Sequence, residues 1–208
     1  MDDLVTVTLL RHGVTQANLE KRYLGWTDVP LTEAAKQDLL QAHCFGEQFD
    51  LAVTSDLLRA KQTAEILCPL LKRIETKAFR EMNFGEWEMK AYDDLQENSF
   101  YRAWIDAPEK ITPLHGESFL EMTRRVDVGF EQLKREAMQR GSKNILLVSH
   151  GGVIRYLLTK LTKEKKQFFE WQVPHNKGIR LTWNYEDWKG ERKCTLLQEA
   201  PLTAKENG

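Results

Sequence analysis

Three stretches of the chain combine β-branched and apolar residues in short runs, the pattern of buried β-strands. The first, VTVTLLRH over residues 5–12, alternates at its start and becomes continuously apolar before it ends. FDLAVTSD over 49–56 and NILLVSHGG over 144–152 are apolar through their centres. Because runs buried on both faces are typical of parallel sheets, these stretches predict central strands.

Between these strands, apolar residues recur at the three- and four-residue spacing of amphipathic helices. The first predicted helix has Thr32 as its N-cap and Gly46 as its stop. The third begins with Ser118 and Glu121 in the S-x-x-E spacing of a capping box and stops at Gly141. The four predicted helices cover 31–46, 57–71, 117–141 and 153–161.

The C-terminal part of the chain has a different pattern. Residues 177–200 predict two strands joined by a polar turn around Lys189 and Gly190. Strands that alternate with helices predict a three-layer α/β/α sandwich with a mostly parallel central sheet. We expect a single domain over 1–203, followed by a disordered tail over 204–208.

Composition narrows the function classes. Thirty basic and 31 acidic residues leave a formal net charge of −1, which argues against a general nucleic-acid or membrane-surface binder. No apolar stretch has the length of a membrane span, and the N-terminus lacks the basic segment of a signal peptide. Cys44, Cys68 and Cys194 are odd in number and form no CxxC pair, so they favour a reducing, cytoplasmic setting.

Two predicted strands end in the same way. LLRHG at 9–13 and LLVSHGG at 146–152 each place a histidine, His12 or His150, directly before glycine. In open α/β sheets, ligands bind in the crevice at the carboxyl ends of the strands. Neighbouring parallel strands would bring both histidines to one crevice, where Gly151 would let backbone N–H groups approach a ligand.

Arginines at the same edge indicate the charge of that ligand. Arg11 precedes His12, and its fixed positive charge would oppose a metal ion but favour phosphate or carboxylate. Arg59 lies in the first turn of the helix predicted after the second strand, where the helix N-terminus adds to the positive potential. The sequence therefore predicts an oxyanion site.

These residues belong to a set of short blocks that resembles a known family. The blocks are RHG at 11–13, Asn18, RYLGWTDVPLT at 22–32, SDLLRA at 55–60, Thr63 with Ala64, REMNFGEWEM at 80–89, HGES at 115–118 and SHG at 149–151. Together they resemble the histidine phosphatase superfamily, with its phosphoglycerate-mutase-like fold, over most of the chain. RYLGWTDVPLT and REMNFGEWEM are most similar to the α-ribazole-5′-phosphate phosphatases of cobalamin nucleotide-loop assembly.

The resemblance implies a metal-independent phosphatase that needs no cofactor and works through a phosphohistidine. His12 would be the nucleophile. Glu81 would be the general acid, and Glu86 and Glu88 are its competitors nearby in the sequence. The phosphoryl group would be held by Arg11, Arg59, a protonated His150, Asn18, Gly25 and Gly151.

Several alternatives stay open at this point. A cofactor-dependent phosphoglycerate mutase would share these residues but would need segments that close over the site, so the compact region 79–115 favours a hydrolase. A broad-specificity phosphatase and a non-catalytic phospholigand-binding protein are the other candidates. The last is disfavoured because the whole candidate set is present. The expected partner is a small-molecule phosphomonoester, and a homodimer is left open.

Aromatic residues in and around that region have two interpretations. Trp26, Trp87 and Trp104 could stack on an aromatic substrate, but at least two of the three are expected to be packing residues. His115 precedes the predicted capping box, and we favour a surface role for it. No function is assigned to His175.

Overall fold

The computed structural model describes residues 3–43, 49–175, 177–190, 192–201 and 203–204. Its strands are β1 (Leu4–Arg11), β2 (Ala42–His43), β3 (Leu51–Ser55), β4 (Arg73–Thr76), β5 (Asn144–Ser149), β6 (Lys177–Asn184), β7 (Leu196–Pro201) and β8 (Thr203–Ala204). Its α-helices are α1 (Gln16–Leu19), α2 (Glu33–Gln41), α3 (Leu58–Leu67), α4 (Tyr92–Leu95), α5 (Ser99–Asp106), α6 (Phe119–Arg140), α7 (Gly151–Leu161) and α8 (Tyr185–Lys189).

Six of the strands form one sheet in the order β4-β3-β5-β1-β6-β7. The four strands from β4 to β1 are parallel, whereas β6 and β7 run antiparallel to their neighbours. β1 and β5 lie side by side in the centre, with Leu9 opposite Leu147 and Arg11 opposite Ser149. This register brings the carboxyl ends of the two strands level with each other.

Helices cover both faces of the sheet. Val7 and Leu9 of β1 point to one face, where they pack with α6 and α7. Leu10 points to the other face and packs with residues of α2 and α3. Successive strand residues alternate between faces, so β1 contributes to both cores. The predicted three-layer sandwich with a mostly parallel sheet is confirmed.

The predicted caps of α6 are present. The Ser118 hydroxyl accepts from the Glu121 N–H, and the Glu121 carboxylate accepts from the Ser118 N–H at 2.8 Å. Gly141 ends the helix in the left-handed conformation, with φ of 67°. Since glycine adopts this conformation without steric cost, the helix stops where the sequence predicts.

Other element boundaries differ from the prediction. The helix predicted over 57–71 ends at Leu67, because Pro69 disfavours helical backbone before it. The expected stop at Gly46 lies outside the described residues. At the C-terminus, Ala204 pairs with Ala42, so the strand β8 includes one residue of the expected tail. The rest of that tail also lies outside the described residues.

The turn predicted between the last two long strands is wrong, because a short helix, α8, takes its place. Asn184 caps this helix by accepting from the Asp187 N–H at 2.7 Å. Trp188 is then buried against Trp183, with ring centroids 5.2 Å apart. The prediction of a polar turn did not take into account that Asn184 can cap a helix or that Trp188 can be buried.

The region 79–115 contains the short helices α4 and α5. Buried Leu95 of α4 and buried Tyr101 and Trp104 of α5 form a cluster with Trp87, which precedes both helices. Within the described ranges, no helix has the length and apolar character needed to span a membrane.

Candidate active site

The carboxyl ends of β1 and β5 bring the two predicted histidines together. The His12 N–H donates to the Ser149 carbonyl at 3.0 Å and extends the ladder between the strands by one residue. The rings of His12 and His150 then lie with centroids 5.1 Å apart, although the residues are far apart in sequence. We call the site formed by Arg11, His12, Arg59 and His150 the phosphate crevice.

His12 is held as a neutral imidazole with a defined tautomer. Its ring is buried, and Nδ1 lies 2.7 Å from the Gly13 carbonyl oxygen, which can only accept a hydrogen bond. Burial lowers the pKa of His12 well below its usual value, and the charges of Arg59 and Arg11 lower it further. Since Nδ1 carries the proton, Nε2 has a free lone pair and can act as an acceptor or as a nucleophile.

The two arginines of the crevice are fixed by backbone carbonyl groups. Arg11 donates from Nη1 to the Val173 carbonyl at 3.0 Å. Arg59 is fully buried and donates from Nη2 to Gly25 at 2.6 Å and from Nη1 to Thr27 at 3.0 Å. Burial lowers the pKa of Arg59 to about 10, which still leaves it charged near neutral pH. Carbonyl anchoring orients the guanidinium groups without neutralising them.

Several buried nitrogen atoms of the crevice have no partner within the described part of the protein. They are Nε of Arg11, Nε of Arg59 and both ring nitrogens of His150. Buried polar groups are normally hydrogen-bonded, so a cluster of such donors at one point indicates a site for an acceptor. A phosphoryl group offers oxygen acceptors to these nitrogens and negative charge to the two arginines.

The protonated His150 that the resemblance implies belongs to the phosphate complex, and the ring has a different charge in the free protein. Burial, Arg59 and His12 lower the pKa of His150 well below its usual value, so it is neutral in the free protein. A dianion bound between the arginines would favour the charged form. Protonation of His150 is therefore a property to expect of the phosphate complex.

Glu81 lies beside the N-terminus of α7. Its Oε2 accepts from the Gly152 N–H at 2.9 Å, and its Oε1 accepts from its neighbour Met82 at 3.0 Å. A Cβ atom on residue 152 would overlap the Glu81 carboxylate, so only glycine permits this approach. Gly151 is the first residue of α7, where a backbone N–H has no acceptor within the helix.

The peptide segment that carries Glu81 is fixed from two sides. The Trp26 indole donates to the Glu81 carbonyl at 2.9 Å. Arg125 donates to the carbonyls of Ala78 at 2.9 Å and Arg80 at 3.0 Å, and it forms an ion pair with Glu117 at 2.7 Å. These contacts hold the backbone on which the Glu81 carboxylate is placed.

The two competing glutamates have other roles. Glu86 is exposed and lies 3.4 Å from His115, whose side chain is 84% exposed, so the surface role of His115 is confirmed. Glu88 accepts N–H groups from Gly25, Trp26, Thr27 and Phe84 at 2.9 to 3.1 Å. Glu88 thus fixes the loop whose carbonyls orient Arg59.

Gly25 and Asn18, both predicted to hold the phosphoryl group, already make hydrogen bonds within the protein. The Gly25 N–H is used by Glu88, and its carbonyl is used by Arg59, so the predicted phosphate contact of Gly25 would have to replace one of these hydrogen bonds. Its lack of a side chain matters because a Cβ would overlap the Met82 carbonyl. The Asn18 Oδ1 caps α1 by accepting from Thr15 at 3.0 Å, which leaves its amide nitrogen to donate to a ligand.

His175 belongs to the site although no motif indicated it. Its Nδ1 donates to the His12 carbonyl at 2.7 Å, and its ring centroid lies 5.3 Å from that of His12. Burial, followed by the charge of Arg11, lowers the pKa of His175 to about 4. A single histidine before an antiparallel strand carries no sequence signal for this placement.

A cavity of about 450 Å³ opens beside Glu81 and Gly152. We call it the aromatic cavity because Tyr23, Phe84, Trp104, Phe119, Phe168 and Phe169 form much of its wall. The volume lies in the range of small-molecule sites. The general-acid candidate therefore stands between the phosphate crevice and a space suited to an aromatic alcohol.

Of the three tryptophans, Trp104 alone lines this cavity in the described structure. Trp87 is 2% exposed and packs against Trp104, with ring centroids 5.0 Å apart. The Trp26 ring lies between Arg80, 5.0 Å from its centroid, and Arg125, at 5.9 Å. The expectation that at least two of them are packing residues agrees with these positions.

Comparisons with known proteins decide the family. The sequence profile of the histidine phosphatase superfamily (branch 1) matches residues 7–195. This chain is a histidine phosphatase superfamily member. The family expected from the sequence blocks is confirmed.

Individual relatives agree with this assignment. The chain is 33% identical to the adenosylcobalamin/alpha-ribazole phosphatase of Escherichia coli K12, over 74% of this chain and 77% of that protein. The alpha-ribazole phosphatase from Shigella flexneri matches in structure with a TM-score of 0.79 and 28% identity, over 98% of each chain. Phosphoglycerate mutase from Thermus thermophilus matches with a TM-score of 0.68 and 27% identity, over 96% of this chain and 99% of that one.

Proposed function

We propose that this histidine phosphatase hydrolyses phosphomonoesters through a phosphohistidine on His12, without a metal ion. The observation that carries the proposal is the Nδ1 contact of His12 with Gly13, which leaves Nε2 as the nucleophile beside Arg11 and the buried Arg59. Arg11, Arg59 and His150 donate to the phosphoryl oxygens. Preorganised donors of this kind contribute about 3 kcal/mol each to transition-state stabilisation.

The reaction has two steps. In the first, Nε2 of His12 attacks phosphorus, the bond between phosphorus and the ester oxygen breaks, and Glu81 gives its proton to the departing alkoxide. In the second, water attacks the phosphohistidine, Glu81 takes a proton from that water, and inorganic phosphate leaves. Glu81 and His12 both return to their starting states, so protons and charges balance.

We propose α-ribazole 5′-phosphate as the substrate. The support is the aromatic cavity beside Glu81, which offers stacking surfaces to a benzimidazole at the place where the leaving alcohol must lie. A relative named as an adenosylcobalamin/alpha-ribazole phosphatase is 33% identical to the chain over 77% of its own length. The cytoplasmic location stays a prediction from the sequence, and the homodimer stays open.

A kcat/KM panel in EDTA tests this proposal. It compares α-ribazole 5′-phosphate, ribose 5-phosphate, 3-phosphoglycerate and p-nitrophenyl phosphate. We expect a preference of at least about a hundredfold for α-ribazole 5′-phosphate, or near 3 kcal/mol of transition-state discrimination. A flat profile would indicate a broad-specificity phosphatase. Loss of turnover in EDTA would contradict the metal-free reaction, and interconversion of phosphoglycerates stimulated by 2,3-bisphosphoglycerate would indicate a mutase.

A further inference from the structure

The aromatic cavity contains one cation that the phosphatase reaction does not use. Arg155 lines its wall, and it and Glu81 are the charged side chains among the described lining residues. Arg155 is partly buried, and its guanidinium group lies among aromatic side chains that offer it few hydrogen-bond acceptors. A charged donor in this position favours a bound molecule that presents a polar group to it.

Arg155 is held at a defined position. Its Nε donates to the carbonyl of Trp171 at 3.1 Å, and Trp171 is itself buried. The Trp171 indole donates to the Thr159 hydroxyl at 3.1 Å, and that hydroxyl donates to the Arg155 carbonyl at 2.9 Å. This closed set of contacts fixes the base of the guanidinium and leaves its two terminal nitrogens to act as donors.

Among the described residues, Arg155 forms no ion pair with a carboxylate, and its Nε hydrogen bond goes to a backbone carbonyl. Arg11, with which it interacts electrostatically, has the same sign of charge. The donors of Arg155 are therefore available to an oxygen atom of a bound molecule. A charged donor also disfavours amine or quaternary ammonium leaving groups, despite the aromatic walls.

The position along α7 indicates which part of a substrate Arg155 meets. It lies four residues after Gly151, on the same side of the helix and about 6 Å further from the N-terminus. A phosphoryl group in the crevice lies at that N-terminus, so Arg155 lies about one sugar ring beyond it. In a pentose 5-phosphate, the ring hydroxyl groups occupy this distance from phosphorus.

We propose that Arg155 is a specificity-determining residue that donates hydrogen bonds to the sugar hydroxyl oxygens of a ribosyl phosphate. The proposal deepens the function proposed above and rests on it. The aromatic walls then bind the base, Arg155 binds the sugar, and the crevice binds the phosphoryl group. The three surfaces differ in chemistry, and they are arranged in the order in which base, sugar and phosphoryl group are linked in the substrate.

The test compares Arg155→Met with the natural protein on three substrates. These are α-ribazole 5′-phosphate, its 2′,3′-dideoxyribosyl analogue and p-nitrophenyl phosphate. We expect the ratio of kcat/KM for the ribosyl substrate to kcat/KM for p-nitrophenyl phosphate to fall about 10- to 100-fold, as for the loss of a charged hydrogen bond. For the dideoxy analogue, the ratio of its kcat/KM to that for p-nitrophenyl phosphate should not fall. For Arg155→Lys, which keeps the charge but loses the planar guanidinium group, the ratio for the ribosyl substrate should lie between those of the natural protein and Arg155→Met.

Arg135→Met is the matched control, because Arg135 is exposed on α6 and lines a separate groove. It should leave all three values unchanged. An equal fall of Arg155→Met on all three substrates would overturn the proposal, since it would place Arg155 on the phosphoryl group or on the fold. 3-Phosphoglycerate from the panel above serves as a further substrate. If Arg155→Met lowered its kcat/KM more than that of α-ribazole 5′-phosphate, the result would indicate a carboxylate partner and would also overturn the proposal.

The substrate panel separates this proposal from the function on which it rests. If the natural protein shows no preference for α-ribazole 5′-phosphate, the ratio of ribose 5-phosphate to p-nitrophenyl phosphate can still be compared between the natural protein and Arg155→Met. A fall in that ratio supports sugar recognition although the proposed base is wrong. An unchanged ratio contradicts the role of Arg155 itself.

Discussion

The phosphate crevice and the aromatic cavity meet at Glu81 but are constructed in different ways. In the crevice, His12 and His150 follow directly from adjacent strands, and backbone carbonyls orient both arginines. In the cavity, the walls come from the loop after α1, from α6 and α7, from the region between β4 and α6 and from the segment that follows α7. The crevice thus has its two histidines at strand ends of the sheet, whereas the wall of the cavity comes from helices and loops outside the sheet.

From this difference we expect the crevice to determine the reaction and the cavity to determine the preference among substrates. Strand ends are held by the hydrogen-bond ladder of the whole sheet, so the reacting groups are placed by the fold itself. The segments around the cavity can change side chains without altering that ladder. We therefore expect substitutions in the crevice to lower turnover of every substrate, and substitutions in the cavity to change the ranking of substrates.

The largest predicted effect concerns Glu81, where the two regions meet. Glu81→Gln should lower kcat for α-ribazole 5′-phosphate about 10²- to 10⁴-fold, because the departing alkoxide loses its proton donor. With p-nitrophenyl phosphate, whose leaving group needs little protonation, the first step should survive and give a burst of p-nitrophenol. Stopped-flow absorbance measures this burst. Equal slowing of the first step for both substrates would contradict the role of Glu81 as the acid.

The second prediction tests whether the crevice depends on Glu88. Glu88→Gln should lower kcat/KM about 10- to 100-fold for every substrate, because weaker acceptors would loosen the loop that orients Arg59. Glu86→Gln is the matched control, since Glu86 is exposed and contacts only the exposed His115 among its described ion-pair partners. If the two variants behaved alike, Glu88 would not be a positioning residue.

The third prediction concerns the cavity wall. Trp104→Leu should lower kcat/KM for α-ribazole 5′-phosphate about tenfold relative to ribose 5-phosphate, because one base-stacking surface is removed. The comparison between substrates controls for any loss of packing against Trp87. A parallel loss on both substrates would remove the distinction between cavity and crevice that this account draws.

The smallest effect is the dependence of stability on pH. The folded-state pKa of His175 is lowered from about 6.5 to about 4, so below pH 6.5 the unfolded chain binds more protons. The free energy of unfolding should therefore fall as pH decreases through this window, with His12 and His150 acting in the same direction. His175→Asn keeps a donor but removes this titration. Urea midpoints at about pH 7.5 and about pH 5 should differ less in this variant, and an equal or larger difference would contradict the assignment.

Much of the crevice could be predicted because its signals are local. Strand patterns that end in RHG and SHGG identify His12 and His150, and the parallel arrangement of adjacent strands brings them together. The caps of α6 are equally predictable, since Ser118, Glu121 and Gly141 act within one helical turn of each end. Features that depend on residues close together in the chain can therefore be predicted from the sequence.

Other features depend on contacts between distant segments and leave no such pattern. In the sequence Glu88 is a competitor of Glu81, and only the folded loop shows that its oxygens accept four backbone N–H groups. His175 reaches His12 through the pairing of β6 with β1. The family block that contains Gly25 predicts a phosphate contact for it, whereas its N–H is used by Glu88.

The central claim is that His12 carries the phosphoryl group during turnover. Rapid quenching in alkali of Glu81→Gln mixed with ³²P-labelled p-nitrophenyl phosphate, followed by peptide mapping, tests it directly. We predict acid-labile, alkali-stable label on the peptide that contains His12 and none in the His12→Ala, Glu81→Gln double variant. Label on a different residue, or unlabelled protein that still releases p-nitrophenol in a burst, would contradict the account.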